Sequence, residues 1–379
     1  MAFLSLCTVS FRNLTDININ TSVKDIFLVG ENGQGKTNFL EALYFCSYAS
    51  SFRGVRDGEL VRSGESDFSA MAVLGSLLDP PGELLQPVKR NLPVQIIVKV
   101  EKLKKTILLE GKKISDRKYL LEAVPTVAFC HEDMEFVSGS QERRRWFFDQ
   151  TQSLYDPVYL DDLRKYRHVL KTRNAVLKNI RAGGDNNKTA GLLDALDPQL
   201  ADYGIRLMEK RIIAADKFSA VFSLLYREVS GITGVTVSYD PSWKYIPKEE
   251  TIISRLAGRR AADVAQGVTL SGPHRDRYLF LRDGTAEFSG NASTGQRRLL
   301  ALLLRVSQSR CFSDQTGKTP VLLLDDVLLE LDGEKRRRFL SVMPDYEQAF
   351  FTFLPEEPYK SYIKPDTLVY YVKRGQINT

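Results

Sequence analysis

Two short, wholly apolar runs stand out along the chain, Ile26 to Val29 and Val321 to Leu324. Apolar runs without alternation suit strands buried on both faces of a parallel sheet. The first run enters a glycine-rich stretch, after which Phe39, Leu40, Leu43 and Tyr44 recur with helical spacing. The second follows Pro320 and ends on two carboxylates, Asp325 and Asp326. Further strands are predicted at Val94 to Val100, at Thr106 to Leu109 with Gly111 in a turn, at Val235 to Tyr239 and at Tyr278 to Leu281. Asp283-Gly284 gives the last of these a tight turn. From Glu142 to about Ile180 the pattern is helical and rich in charge. Ala182 to Ala190 (AGGDNNKTA) reads as a connection, and Asp202 to about Val229 is helical again. A helix follows Ser293, with Leu299, Leu300, Leu302, Leu303 and Val306 mostly on one side. Pro80, Pro81, Gly82 and Pro87 make Asp79 to Asn91 a loop. No internal repeat or low-complexity tract is present. A helical middle between two α/β portions predicts a helical lobe inserted into an α/β core.

Composition narrows the class. The chain has 379 residues, 43% hydrophobic and 26% charged, an ordinary globular balance that suits two or three domains. No apolar run approaches the ~18 residues of a membrane span. Met1 to Arg12 has neither a long apolar stretch nor a small-residue cleavage site, so the N-terminus reads as mature. Cys7, Cys46, Cys130 and Cys311 lie far apart, which argues against a zinc site or disulfide framework and for a reducing compartment. Three histidines are too few for a histidine-built metal centre. The net charge of +6 says little by itself. Its distribution says more: between Asp161 and Arg181, Arg164, Lys165, Arg167, Lys171, Arg173, Lys178 and Arg181 face only Asp161 and Asp162. Such an excess serves an anionic partner or simply solvates a helix face.

Gly30 to Thr37 fits G-x-x-x-x-G-K-T, with a strand before it and a helix after it. Gly30, Gly33 and Gly35 let the backbone curl so that N–H groups face phosphate oxygens. The following helix adds its N-terminal dipole. Lys36 reaches β- and γ-phosphates, and the Thr37 hydroxyl ligates Mg²⁺. The candidate phosphate cradle is therefore Gly30, Glu31, Asn32, Gly33, Gln34, Gly35, Lys36, Thr37 and Asn38. Asp325 stands where a P-loop protein holds its metal, and Asp326 where attacking water is oriented. The alternative for this pair is a cap on the next helix. Asp326 is one methylene shorter than glutamate, which suits slow hydrolysis. Ser293-Thr294-Gly295-Gln296-Arg297-Arg298 opens a helix, with Ser293 as N-cap. A P-loop far upstream, then a serine-glycine-glutamine helix start, then a carboxylate strand, is the order of the ABC ATPases.

Further stretches resemble the RecF family of SMC- and Rad50-like DNA repair ATPases, which lack a long coiled coil. They include Phe11-Arg12-Asn13-Leu14, Gly30 to Asn38, Ser51-Phe52-Arg53 with Arg56-Asp57 and Glu59-Leu60-Val61, and Phe129 to Asp149. Tyr166 to Lys178, Gly272-Pro273-His274-Arg275-Asp276, Ser293 to Arg298 and Leu323 to Asp332 complete the set. The resemblance covers nearly the whole chain. Departures are His131 in place of proline, Thr294 before the signature glycine, and Leu329 in place of serine. No switch histidine follows Asp325; Thr352 lies about where one would come.

The resemblance implies an α/β, ABC-type P-loop ATPase head, residues 1–130 and 266–379, with an inserted, mostly helical lobe, 131–265. It implies ATP and Mg²⁺ as cofactors and an ATP-dependent homodimer in which Ser293, Gly295 and Gln296 of one subunit cover the γ-phosphate of the other. It implies weak, DNA-stimulated hydrolysis with Lys36, Asp326 and Glu132 in catalytic positions, Glu132 at the lid. Arg12 approaches the nucleotide or is a surface residue. His274 and Arg275 fit a structural turn better than catalysis. The implied partners are duplex and gapped DNA without sequence preference, RecR, RecO and RecA, in the cytoplasm with the nucleoid. Arg164, Lys165, Arg167, Lys171, Arg173 and Lys178 are the candidate DNA-binding residues. Rivals are a transporter ATPase subunit, a non-hydrolysing DNA scaffold and an SMC-type machine with a nuclease partner. The basic insert, the intact P-loop and carboxylates, and the lack of room for a long heptad coil argue against these in turn.

Overall fold

The two wholly apolar runs lie in one sheet, a single strand apart. The computed structural model describes residues 1–77, 92–183, 186–244, 248–327 and 333–379, with the backbone alone at 186–190. The expected loop at Asp79 to Asn91 lies outside these residues, as does Leu329 with the end of the Leu323 to Asp332 stretch.

The chain opens with β1 (Ala2–Val9), β2 (Ile17–Asn20) and β3 (Asp25–Val29), then α1 (Lys36–Tyr48). Next come β4 (Phe68–Gly75), β5 (Val94–Glu101), β6 (Lys104–Leu109), β7 (Lys112–Ile114), α2 (Lys118–Ala123) and β8 (Thr126–Phe129). The middle holds α3 (Met134–Ser138), α4 (Gln141–Ser153), α5 (Pro157–Arg181), α6 (Asn186–Ser230), β9 (Val235–Asp240), α7 (Glu249–Gly258), α8 (Arg260–Gln266), β10 (Arg277–Arg282), β11 (Ala286–Glu287) and α9 (Phe288–Asn291). The chain closes with α10 (Thr294–Thr316), β12 (Val321–Leu324), α11 (Gly333–Ser341), β13 (Gln348–Phe353), β14 (Thr367–Lys373) and β15 (Gln376–Asn378).

Two compact units result, Met1–Asp133 with Gln308–Thr379, and Met134–Ser307. The first boundary lies close to the expected one at 130. The second lies well past the expected 266, inside α10. The physical reason is strand pairing: β10 pairs antiparallel with β9 from Arg277 to Arg282, which ties the segment after 266 to the helical unit.

In the first unit, β3 pairs in parallel with β13 and β14, and β12 with β13 and β8, giving the order β15-β14-β3-β13-β12-β8. Every residue of β3 and β12 is buried. A second, antiparallel sheet has the order β2-β1-β4-β5-β6-β7. Its β4 alternates, with Phe68, Ala70, Ala72 and Leu74 inward. Helix α1 contacts β4 and β5 of this sheet and β8 and β13 of the other. It is therefore buried on nearly every side, beyond the one-sided spacing that the sequence shows. Phe39, Leu40, Leu43 and Phe45 are fully buried, worth about 1.5–3 kcal/mol each by area. That burial fixes the helix start, where the phosphate cradle sits.

In the second unit, the expected helical run from Glu142 to Ile180 is two helices. Asp156 accepts from the Tyr159 N–H at 2.8 Å and Pro157 follows it, a start signal inside the run. Helix α6 begins at Asn186, so the expected connection through Ala190 is shorter and the helix precedes Asp202. It runs through Pro198, which costs a backbone hydrogen bond, because Leu193, Asp197, Leu200 and Ala201 around it are buried. The core joins Tyr159, Leu163, Tyr166 and Val169 of α5 to Leu200, Leu207 and Met208 of α6, with Trp243. Among the described residues no helix is long and apolar enough to cross a membrane.

Candidate functional site

The cradle is anchored from outside itself. The Gly30 N–H donates to the Phe353 carbonyl at 3.1 Å, and the Gly375 N–H to that of Gln34 at 2.8 Å. The Asn13 amide donates to the Gly33 carbonyl at 3.0 Å. A Cβ on Gly30 would lie 2.4 Å from the Val372 carbonyl oxygen, so no side chain fits there. Gly33 and Gly35 carry the curl, with φ of 76° and 117°. Lys36 is buried, and its Nζ donates to the carbonyls of Gly30 at 2.6 Å and Glu31 at 3.1 Å. The ammonium is thus parked on loop carbonyls that anionic oxygens can replace.

Strand β12 ends at Leu324, and Asp326 takes a φ of 51°. This bend lets successive carboxylates serve one place instead of opposite faces. The Thr37 hydroxyl donates to Asp325 Oδ1 at 2.9 Å. Thr352, on the strand between β3 and β12, touches both carboxylates. Its hydroxyl lies 2.9 Å from Asp326 Oδ1 and 3.3 Å from Asp325 Oδ1, and it accepts the Asp326 N–H at 2.7 Å. Burial, then the charge of Asp326, pushes the Asp325 carboxyl up to about 7; the Thr37 hydrogen bond opposes them. Glu132 adds to that field and so lies within electrostatic reach of Asp325. An oxygen-only donor pair of hydroxyl and carboxylate fits Mg²⁺, which takes one or two protein oxygens and the rest from phosphate and water.

Arg12 has a φ of 51°, and its guanidinium grips buried Glu41 of α1, at 2.9 Å and 3.2 Å. Ser51 also donates to Glu41, and Arg53 lies 3.8 Å from it. Arg53 in turn donates to Asn38 Oδ1 at 3.3 Å, while Asn38 donates to Asn13 at 2.7 Å. Sequence reasoning named Asn13 and Arg53 only within resembling stretches, without a site role, and left out Glu41. A buried glutamate inside an apolar helix beside nearby arginines was the available signal. The Arg374 N–H also donates to Gln34 Oε1 at 2.7 Å, a contact across almost the whole chain that no local pattern announces.

Ser293, Gly295 and Gln296 belong to the other unit. Ser293 Oγ accepts the Gln296 N–H at 3.2 Å and Gln296 Oε1 accepts the Ser293 N–H at 2.8 Å, a reciprocal cap. Gly295 is exposed, and a Cβ there would meet nothing within 4 Å.

The basic helix α5 is split by its phase. Lys165, Arg167, Lys171 and Lys178 are exposed. Arg164 lies 3.7 Å from Asp161, Arg167 3.1 Å from Asp149, and the Lys165 ammonium sits over the Tyr203 ring. Arg173 is fully buried, which corrects its place among the DNA-binding candidates. It pairs with Asp197 at 2.8 Å and Asp263 at 2.7 Å, and donates to Thr269 at 2.8 Å. Nine residues past Arg164 is about two and a half turns, the opposite side of the helix.

The Gly-Pro-His-Arg-Asp element is mostly a packing knot. Gly272 has a φ of 132°, and a Cβ there would lie 2.7 Å from the Tyr166 hydroxyl. The His274 Nε2–H donates to the Thr269 carbonyl at 2.9 Å, which leaves Nδ1 to accept from Tyr166 at 2.7 Å. Asp276 accepts from Arg211 and from the Ser242 N–H, each at 2.8 Å, and from the Tyr239 hydroxyl.

A largely parallel sheet carrying a P-loop after one strand and paired carboxylates two strands away is the core of a P-loop nucleotide-binding head. The model of the family described as RecF/RecN/SMC N terminal domain matches residues 4–371. A DNA replication and repair protein RecF from Treponema pallidum (strain Nichols) is 42% identical over 374 residues, covering 98% of this chain and 99% of its own. A solved structure of the recombination mediator protein RecF with ATP in the RecFOR pathway superposes with a TM-score of 0.85 at 27% identity, covering 99% of this chain and 96% of that one. An Smc head domain from Pyrococcus furiosus shares the fold alone, with a TM-score of 0.53 at 14% identity, covering 99% of this chain and 95% of its own. The chain belongs to the RecF family of DNA replication and repair proteins.

Proposed function

We propose that this chain binds ATP at Gly30 to Asn38, hydrolyses it slowly and uses it as a switch for DNA binding in recombinational repair. The observation that carries this reading is the 2.9 Å contact of Thr37 with Asp325 beside the parked Lys36 ammonium. Two adjacent side chains of the P-loop meet there with a carboxylate 288 residues further on, each with a role in phosphate chemistry. Thr37 and Asp325 would hold Mg²⁺, which neutralises phosphate charge. Asp326 orients water as general base, and Glu132 lies at the lid. Arg12 acts through Glu41 and the cradle's support. Arg164, Lys165, Arg167, Lys171 and Lys178 supply non-specific backbone contacts. RecR, RecO and RecA are the proposed partners at single-strand gaps, in the cytoplasm. The solved relative's place in the RecFOR pathway supports RecR and RecO among these.

Asp326→Asn keeps nucleotide affinity and lowers turnover by roughly 10²–10⁴-fold, the usual worth of a general base. It removes a like charge from beside Asp325, so its melting temperature does not fall. Phosphate release at the parent rate would move the base elsewhere.

ATP, and not ADP, drives dimerisation through the capped start of α10. Gly295 supports this reading, because the described chain packs nothing against it. Ser293→Arg blocks the dimer at a stability cost of about 1 kcal/mol for the lost cap. The test of the whole reading is duplex titration with ATP, ADP or a slowly hydrolysed analogue, read beside the dimer fraction in sedimentation. Equal duplex affinity and a monomer in every nucleotide would overturn it.

A further inference from the structure

Arg275 is the exposed member of an otherwise packed element, and no step above uses it. It lines a cavity of about 490 Å³ in the helical unit, with Arg145, Arg167, Arg211, Trp146 and His274. The volume falls in the range of small-ligand sites, roughly 300–1,000 Å³. Four arginines meet two lining carboxylates, Glu142 and Asp149. Their pairing is uneven. Arg211 is held by Asp149 and Asp276, each at 2.8 Å, and Arg167 shares Asp149 at 3.1 Å. Among the described residues, neither Arg145 nor Arg275 has a carboxylate within salt-bridge distance. Arg145 is half-buried and donates to the Asp276 carbonyl at 2.7 Å, a neutral acceptor. Burial, then the nearby Arg211, lowers its pKa from the usual value. The same field reaches His274: burial first, and then Arg275, Arg145 and Arg211, push the imidazole down to about 4. Two guanidinium groups outside any direct salt bridge thus line one pocket, Arg145 within the weaker field of Asp276, Asp149 and Glu142, beside a neutral histidine that competes with neither.

We propose that this cavity binds a phosphate group, with Arg145 and Arg275 as its counter-charges and Trp146 as an apolar wall. Guanidinium forks match phosphate oxygens in pairs, and such charge-assisted bonds are about twice as strong as neutral ones. The phosphate belongs either to a free nucleotide or to a DNA backbone; the chemistry of the site is the same for both. The site is independent of the P-loop, which belongs to the other unit.

The test uses the full chain carrying Lys36→Ala, so that the P-loop does not report. Inorganic phosphate, deoxyadenosine monophosphate and a short labelled duplex are titrated at fixed ionic strength, read by tryptophan fluorescence and by anisotropy. At least one probe saturates, and Arg275→Gln weakens it about tenfold or more with an unchanged melting curve. Arg145→Gln, made separately, weakens the same probe. Saturation by phosphate or the mononucleotide assigns a free ligand; saturation by duplex alone, lost in Arg275→Gln, assigns the backbone. If no probe saturates, if chloride at matched ionic strength gives the same signal, or if neither variant changes affinity, the cavity is not a phosphate site.

Discussion

Lys36→Ala lowers ATP affinity on the order of 100–1,000-fold and leaves the chain folded. Charge-assisted hydrogen bonds contribute about 1.5–3 kcal/mol each, and the ammonium would serve two phosphates, so roughly 3–4 kcal/mol is lost. The fold survives because the loop does not depend on the lysine. Gly30 is tied to Phe353, Gly33 to Asn13 and Gln34 to Gly375 by bonds that Lys36 does not make. The carbonyls of Gly30 and Glu31 lose a charged donor, which moves the melting temperature by a few degrees at most. Calorimetric titration of ATP, beside a thermal melt, checks both halves. Parent-like affinity in a folded variant would remove the P-loop assignment. A chain that no longer folds would show that the parked ammonium is part of the architecture.

What the sequence disclosed and what it hid follow from the range of the interactions. The P-loop and the carboxylate strand are local patterns, each a few residues long with a physical reason at every position, and the strands and helix that flank them lie where expected. The bend that makes Asp325 and Asp326 converge was legible as a strand end, although the φ of Asp326 was not. Thr352 could be placed only by counting along the chain. Its contact with both carboxylates depends on β13 lying between β3 and β12, a pairing that no local spacing encodes. The Gln34 contact with Arg374 is hidden for the same reason. The boundary past 266 was missed because strand partners, not helix content, decide which unit a segment joins. Arg173 is a different case, since the signal was present. Tyr159, Tyr166, Val169 and Leu177 mark the buried side of α5 at helical spacing, and Arg173 falls among them. Counting charge along the run concealed what counting turns reveals.

Arg173→Ala should therefore act on stability and not on DNA. Its guanidinium joins Asp197 of α6 to Asp263 of α8, with no exposed surface. Removing one partner of a buried pair costs about 3–5 kcal/mol, because a desolvated charge is left behind. The two carboxylates are not equal in this. Asp197 keeps Arg260 at 2.6 Å, whereas Asp263 keeps the Leu270 N–H at 3.1 Å and no cation among the described residues. The loss thus lies toward the lower end, about 3 kcal/mol, and a second change, Asp263→Asn, should recover part of it. Urea unfolding measures this as a lower midpoint at unchanged slope. The contrasting variant carries Arg164→Glu, Arg167→Glu and Lys171→Glu, on the solvent side of the same helix. It should lose duplex affinity in the presence of ATP, and its dependence on log salt should flatten by about 0.9 for each phosphate contact removed. Arg173→Ala, measured at a urea-free temperature where it is folded, should bind duplex as the parent does. If it instead keeps the parent midpoint and weakens duplex binding, the buried triad is wrong and the inner side of α5 must open toward DNA. If the triple variant binds duplex with the parent's affinity and slope, the DNA path runs over another face, and the basic run serves only to keep α5 in water.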